Sequence, residues 1–141
     1  MDLRPYQITD REGCLAVFDS NAPEWNTGER EAFEAFLSNP PGPYFVLEHD
    51  GAVAGCGGFA FENPGLASLC WIMVRDGLHR NGLGRLLVFS AMRKMTQEGD
   101  PEMARLNTSP RSAGFFEKQG FHVLEINGDN VEMRKKMKVC P

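Results

Sequence analysis

A mixed α/β domain is the fold the sequence predicts, and three observations predict it. Short β-rich runs are bounded by turn residues, four other stretches carry apolar residues at helical spacing, and the two kinds interleave along the chain. The order read from these signals is strand, two helices, three strands, helix, strand, helix and two strands. Consecutive strands joined by tight turns predict hairpins, and strands separated by a helix predict crossovers.

Residues 3–8 read as the first strand. Thr9 or Asp10 can cap a helix whose apolar stripe is Cys14, Leu15, Val17 and Phe18, and residues 20–28 break it. With Thr27 as cap, Ala32, Phe33, Phe36 and Leu37 predict a second helix, which Asn39-Pro40-Pro41-Gly42-Pro43 stops. Residues 44–48 and 52–61 flank His49-Asp50-Gly51, a hairpin signal because Asp-Gly tolerates the positive φ of a tight turn. A second turn, Asn63-Pro64-Gly65, leads into a strand over residues 66–74. Leu83, Leu86, Leu87, Ala91 and Met95 then share a helix face to about Gln97, ended by Gly99-Asp100-Pro101. Residues 103–108 read as a strand, and Ser109-Pro110 as the cap and first position of a helix with Ala113, Phe115 and Phe116 on its apolar face. Gly120 closes that helix, and residues 121–126 and 131–139 form a terminal pair around Asn127-Gly128-Asp129-Asn130.

With 141 residues and no linker, residues 1–141 are expected to form one domain with a substantial core. The hydrophobic fraction of 42% and charged fraction of 24% are ordinary for a globular protein, and a net charge of −4 argues against general binding to nucleic acid or anionic membrane. No basic start precedes an apolar run and no segment reaches membrane-spanning length, so a cytoplasmic protein with no membrane partner is expected. Cys14, Cys56, Cys70 and Cys140 are far apart and read as reduced thiols, and His49, His79 and His122 do not cluster, so no metal site is expected.

The most informative stretch is the apolar strand ending Cys70-Trp71-Ile72-Met73-Val74, followed by a turn containing Gly82 and Gly84 and then a helix. The first turn of a helix has N–H groups without intrahelical partners and the positive end of the dipole, so it suits a phosphate where glycines keep side chains away. Arg80 and Arg85 can add charge-assisted contacts. Gly84 is followed by Arg85-Leu86, not by the Lys-Ser/Thr of a P-loop, and Leu87 stands where a dinucleotide fingerprint needs a third small residue. The alternative is a glycine pair that only ends a strand and starts a helix.

Residues His79-Arg80-Asn81-Gly82-Leu83-Gly84 resemble the Gln/Arg-x-x-Gly-x-Gly/Ala pyrophosphate turn of the GNAT superfamily of N-acetyltransferases, with His79 in the Gln/Arg place. Residues Phe116-Glu117-Lys118-Gln119-Gly120-Phe121 are similar to the family's Tyr-Glu-Lys-x-Gly-Phe. The resemblance covers nearly the whole chain. It implies a mixed, mostly antiparallel central sheet of about seven strands flanked by about four helices, with acetyl-CoA as co-substrate in a splay between two central strands. The implied contacts are pantetheine along Ile72, Met73 and Val74, and pyrophosphate on the N–H groups of Arg80, Asn81, Gly82, Leu83, Gly84 and Arg85. Ser109 and Phe116 would also lie beside the cofactor.

In the family the Tyr acts as general acid in many members, and the matching Phe116 has no proton to give. The strand Glu that some members use as base is matched by Ser68, which could hold a relaying water, with Cys70 lining the same spot. Packing alone is the alternative role for both. The implied reaction is direct attack of an amine, on a small molecule or a peptide, on the thioester carbonyl, assisted by a backbone N–H near Val74. Residues 20–30, the loop between the first helices and including Asn21, would wall the acceptor, with Trp25, Glu24 and Glu29 suited to an amine bearing an apolar body, unless Glu29 and Arg30 simply form a solvated helical turn and Trp25 fills the core edge. A non-catalytic acyl-CoA sensor and a cofactor-free interaction domain are the competing readings. An edge strand in the C-terminal pair would allow a homodimer.

Overall fold

The computed structural model describes residues 2–21, 28–79 and 82–137. Its seven strands are β1 (Asp2–Pro5), β2 (Tyr44–His49), β3 (Ala52–Asn63), β4 (Leu66–Val74), β5 (Met103–Thr108), β6 (His122–Asn127) and β7 (Asn130–Lys136). Its four helices are α1 (Arg11–Ser20), α2 (Glu29–Ser38), α3 (Leu83–Glu98) and α4 (Pro110–Lys118). The strands form one sheet in the order β1-β2-β3-β4-β5-β7-β6, antiparallel throughout except for β4 with β5. The mixed, mostly antiparallel sheet with four helices is the expected fold.

Strand alternation sorts the side chains between two cores. Phe45, Phe59, Ala67, Leu69, Ala104, Leu106, Val131 and Met133 pack under α3 and α4 against Val88, Ala91, Met95 and Phe116. On the other face Tyr44, Val46, Val53, Cys56 and Met73 pack under α1 and α2 against Cys14, Val17, Phe18 and Phe33. The outward residues of β5 and β7, namely Arg105, Asn107, Glu132 and Arg134, are polar, as a face without a helix over it requires.

Several boundaries differ from expectation for local reasons. The first strand ends at Pro5, because the Asp10 carboxylate accepts from the Gln7 N–H at 2.9 Å and folds residues 8–10 into a 3₁₀ turn. Arg4 completes the turn with bonds of 2.7 and 2.8 Å to the same carboxylate, holding Asp10 below the usual carboxylate range. Helix α2 is capped by Gly28 at φ 91°, and the expected cap Thr27 lies outside the described residues. Residue 121 belongs to the core, with Phe121 1% exposed, so β6 begins at His122; β7 ends at Lys136, and residues 138–139 of its expected span lie outside the described residues.

One irregularity positions everything that follows. Cys56 pairs with Met73 but Gly58 pairs with Cys70, so β4 carries one extra residue, and Trp71 takes φ 44°. The Trp71 ring packs against Phe18, Phe33 and Phe36, and the Tyr44 hydroxyl donates to the Trp71 carbonyl at 2.8 Å. Tyr44 lies on β2, so it must reach across β3, and Gly58 makes the room. A Cβ at Gly58 would lie 2.2 Å from the Pro43 carbonyl oxygen and 2.8 Å from the Tyr44 ring. Gly58→Ala is therefore expected to destabilise the protein by about 1–3 kcal/mol or more, through overpacking against backbone. Urea unfolding measures it; a change within about 0.5 kcal/mol of zero, as for neutral surface substitutions, would contradict this packing.

Candidate functional site

Strands β4 and β5 are paired over three positions only, Leu66↔Met103, Ala67↔Ala104 and Ser68↔Arg105. Beyond Ser68, β4 stays bonded to β3 as far as Val74, while β5 stays bonded to β7 as far as Thr108. The two halves of the sheet therefore part, and a cavity of about 350 Å³ lies where they do. It is lined by Asn21, Ile72, Met73, Val74, His79, Gly84, Arg111, Ser112, Phe115 and Phe116.

The backbone along the open side of β4 has a definite polarity. The Arg75 N–H donates to the Ala54 carbonyl on β3 at 2.8 Å, and successive strand residues point their polar groups to opposite sides. Val74 and Ile72 therefore turn their N–H and C=O toward the side β5 has left. The Val74 carbonyl is already occupied: Asn21 Nδ2 donates to it at 3.0 Å and His79 Nε2 lies 2.8 Å away. Because a carbonyl only accepts, Nε2 is the protonated nitrogen of the His79 ring, and both lone pairs are used. The Val74 carbonyl is thus already engaged within the protein, while strand alternation turns the Val74 N–H and the polar groups of Ile72 toward the gap.

Helix α3 begins at the mouth of this cavity. Gly82 is its N-cap at φ 75°, a conformation that favours glycine, and it supplies no capping side chain. There is no acidic residue in the first turn either. The first intrahelical bond runs from the Leu86 N–H to the Gly82 carbonyl at 3.1 Å, so the N–H groups of Leu83, Gly84 and Arg85 lie within the unpaired first turn. The other three helices are different: α1 has Glu12 and α2 has Glu29 and Glu31 in the first turn, and α4 is capped by Ser109, whose Oγ accepts from the Ser112 N–H at 3.3 Å. Gly84 packs closely, since a Cβ there would lie 3.1 Å from the Phe115 ring.

The sequence-derived residues separate into groups. Ile72, Met73, Val74, Gly84 and Phe116 line the cavity, and Gly82, Leu83 and Arg85 stand with Gly84 at the start of α3. Leu83 is 3% exposed with its side chain in the core, so only its backbone faces the mouth. Arg80 and Asn81 lie outside the described residues. Ser109 is a helix cap next to the cavity rather than part of its wall. Ser68 and Cys70 lie at the apex of the parting, outside the cavity wall. The Cys70 thiol is 3.6 Å from the Ser68 carbonyl, and burial, followed by the charge of Glu62, pushes its pKa up to about 11, so it remains a thiol at neutral pH.

Sequence reasoning missed Glu62. The Ser68 hydroxyl donates to its carboxylate in a short bond, and Arg105 donates to the same carboxylate oxygen at 3.0 Å. Arg105 continues to Glu132 at 3.3 Å, and Glu132 to Arg134 at 3.2 Å, making a polar chain across the uncovered face. The bond from Ser68, then the guanidinium of Arg105, hold Glu62 below the usual carboxylate range. Asn21, part of the loop expected to wall the acceptor, does line the cavity, whereas Ser112 was missed because it carries no sequence signal for the site. Of the expected acceptor wall, Glu24 and Trp25 lie outside the described residues. Glu29 stands in the first turn of α2, and Arg30 pairs with Asp19 at 2.8 Å and Glu34 at 3.3 Å, as a solvated helical turn does.

The acetyltransferase (GNAT) family model matches residues 10–121. An uncharacterised N-acetyltransferase of Chlorobaculum tepidum is 33% identical over 82 residues, 58% of this chain and 51% of that protein, so the match spans about half the length of this relative. Among solved structures, an acetyltransferase of the GNAT family from Desulfovibrio desulfuricans superposes with a TM-score of 0.82 at 18% identity, over 97% of this chain and 99% of that one. The PaiA N-acetyltransferase of Thermoplasma acidophilum, solved in complex with coenzyme A, gives 0.77 at 18% identity over 96% and 98%. At these identities the structural likeness is one of fold.

The Asn21 side chain is the link between α1 and the open edge of β4, bonding the Val17 and Val74 carbonyls at 3.0 Å each from a buried position. Asn21→Ala is expected to lower the unfolding free energy by about 1–3 kcal/mol, the cost of leaving buried acceptors short of a donor. Chemical denaturation gives the value; an unchanged midpoint would show that the parted edge does not depend on this amide.

Proposed function

The chain belongs to the acetyltransferase (GNAT) family, and on that premise we propose that it moves an acetyl group from acetyl-CoA to a primary amine within a ternary complex. The observation that carries the reading is the start of α3. Among the described residues it is the one α-helix with neither an acidic first turn nor a capping side chain, and it opens beside a cavity between parted strands. Three N–H groups and the positive end of the dipole suit a pyrophosphate there. Arg80 and Asn81 extend this cradle in the proposal, and the exposed Arg85 adds charge.

From the cradle the pantetheine runs along the parted edge of β4, bonding the backbone of Ile72 and the Val74 N–H, with Met73, Phe115 and Phe116 as its apolar wall. Its thioester comes to the apex near Ser68 and Cys70. The amine nitrogen then bonds to the acetyl carbon, the C–S bond breaks, and CoA leaves as thiolate. A backbone N–H on the open edge polarises the carbonyl, so positioning and oxyanion stabilisation do most of the work. This suits a site in which Phe116 has no proton to donate. A small molecule and a peptide N-terminus or lysine are both primary amines of the required kind.

Thermal unfolding with and without acetyl-CoA tests the cofactor site. Ligand at about a hundredfold its dissociation constant is expected to stabilise the parent protein by about 2.7 kcal/mol, and Gly82→Glu, which puts bulk and negative charge into the cradle, is expected to abolish the shift. No shift for the parent at millimolar acetyl-CoA would contradict the site. Release of CoA on adding an arylalkylamine, a polyamine, an aminosugar or an alanyl peptide is expected for an enzyme; binding without release from any of them would identify a sensor.

A further inference from the structure

We propose that Ser68 and Glu62 act as one proton-accepting unit that receives the acceptor amine at the apex of the parted strands, an inference that rests on the acetyl-transfer reading. Three observations carry it. Ser68 is the last residue of β4 paired with β5, so a ligand laid along the open edge from Val74 ends beside it, roughly 20 Å away at about 3.3 Å per residue. Its side chain faces the side of the sheet on which β5 and β7 present polar residues, the side from which an amine can approach. Its hydroxyl hydrogen is committed to the Glu62 carboxylate, which leaves the Oγ lone pairs to accept from an incoming N–H.

The position of Glu62 depends on a second bulge. Phe61 pairs with Ala67 and Asn63 with Leu66, leaving Glu62 as the extra residue of β3. Pairing counted back from Asn63↔Leu66 without the bulge would set Glu62 opposite Ala67, which is fully buried in the core. The bulge instead brings it to Ser68, with 41% of its side chain exposed. The charged and titratable groups around it are Arg105 on β5, Glu132 and Arg134 on β7 and Cys70 on β4. Held below the usual range, the carboxylate is ionised at neutral pH and keeps the Ser68 hydroxyl oriented.

In the step itself the amine nitrogen bonds to the acetyl carbon and the C–S bond breaks. The surplus hydrogen of the amine passes to Ser68 Oγ as the hydrogen of Ser68 passes to Glu62. The CoA thiolate takes a proton from solvent, and Glu62 returns its proton there. Ser68 is the catalytic residue and Glu62 the positioning residue behind it.

The test is steady-state CoA release with n-butylamine at high concentration as acceptor, for the parent, Ser68→Ala, Glu62→Gln and the double variant. Each single change is expected to lower kcat roughly 100- to 10,000-fold, leaving KM for acetyl-CoA and its thermal shift unchanged. The double variant is expected to lose no more than a single one, as residues acting as a unit do. Ser68→Thr keeps the hydroxyl and is expected to stay near the parent rate, separating lost chemistry from a damaged fold. Single variants at parental rates, or losses that multiply in the double variant, would overturn the unit alone. A parent that releases no CoA with this amine or with the amines above would overturn the acetyl-transfer reading and the unit with it.

Discussion

The parting of β4 from β5 after three paired residues is the constraint on which the rest of the structure depends. A parallel ladder abandoned halfway leaves a row of backbone donors and acceptors, and buried ones must find other partners. Here each strand keeps its outer neighbour, β4 bonded to β3 and β5 to β7, so only the inner edges are opened. The carbonyl nearest the helix turn, that of Val74, is satisfied by Asn21 and His79. Phe115 and Phe116 of α4 stand on one side of the gap. On the other face Trp71, held by Tyr44 and three phenylalanines, fixes the bulge in β4.

The electrostatics of the helix starts complement this gap. Three helices begin with an acidic residue or a hydroxyl that quiets their first N–H groups, and α3 begins with Gly82, which does neither. Such a start is less stable by itself than one capped by a side chain, by roughly a few tenths of a kcal/mol. The burial of Leu83, Leu87 and Val88 supplies the compensation, and the backbone is left open to an anion at the mouth of the cavity.

Much of the fold was legible because its signals are local. Asp50-Gly51 and Asn63-Pro64-Gly65 mark hairpins, Ser109-Pro110 marks a helix start, and β4 and β5 have the ends expected for them. The Gly82-x-Gly84 pattern likewise marked the turn into α3, where Gly82 is the N-cap at positive φ. The rest of the site was hidden because it depends on register and on distant pairings. Nothing local announces a bulge at a tryptophan, and a bulge decides which face Glu62 shares. Asn21 and Val74 meet across 53 positions of sequence, joined only by the packing of α1 against the sheet. At the start of α2, Gly28 caps the helix at positive φ, and Glu29 and Glu31 in the first turn suit that helix end.

The central claim is that acetyl-CoA lies along the parted edge of β4 with its pyrophosphate on the start of α3. Backbone amide spectra of the ¹⁵N-labelled protein, recorded while acetyl-CoA is added, test it most directly. The account predicts shifts and slowed hydrogen exchange at Ile72, Val74, Leu83, Gly84 and Arg85, with the amides of β6 unchanged. Saturable binding that perturbs other amides and leaves those five untouched would contradict it.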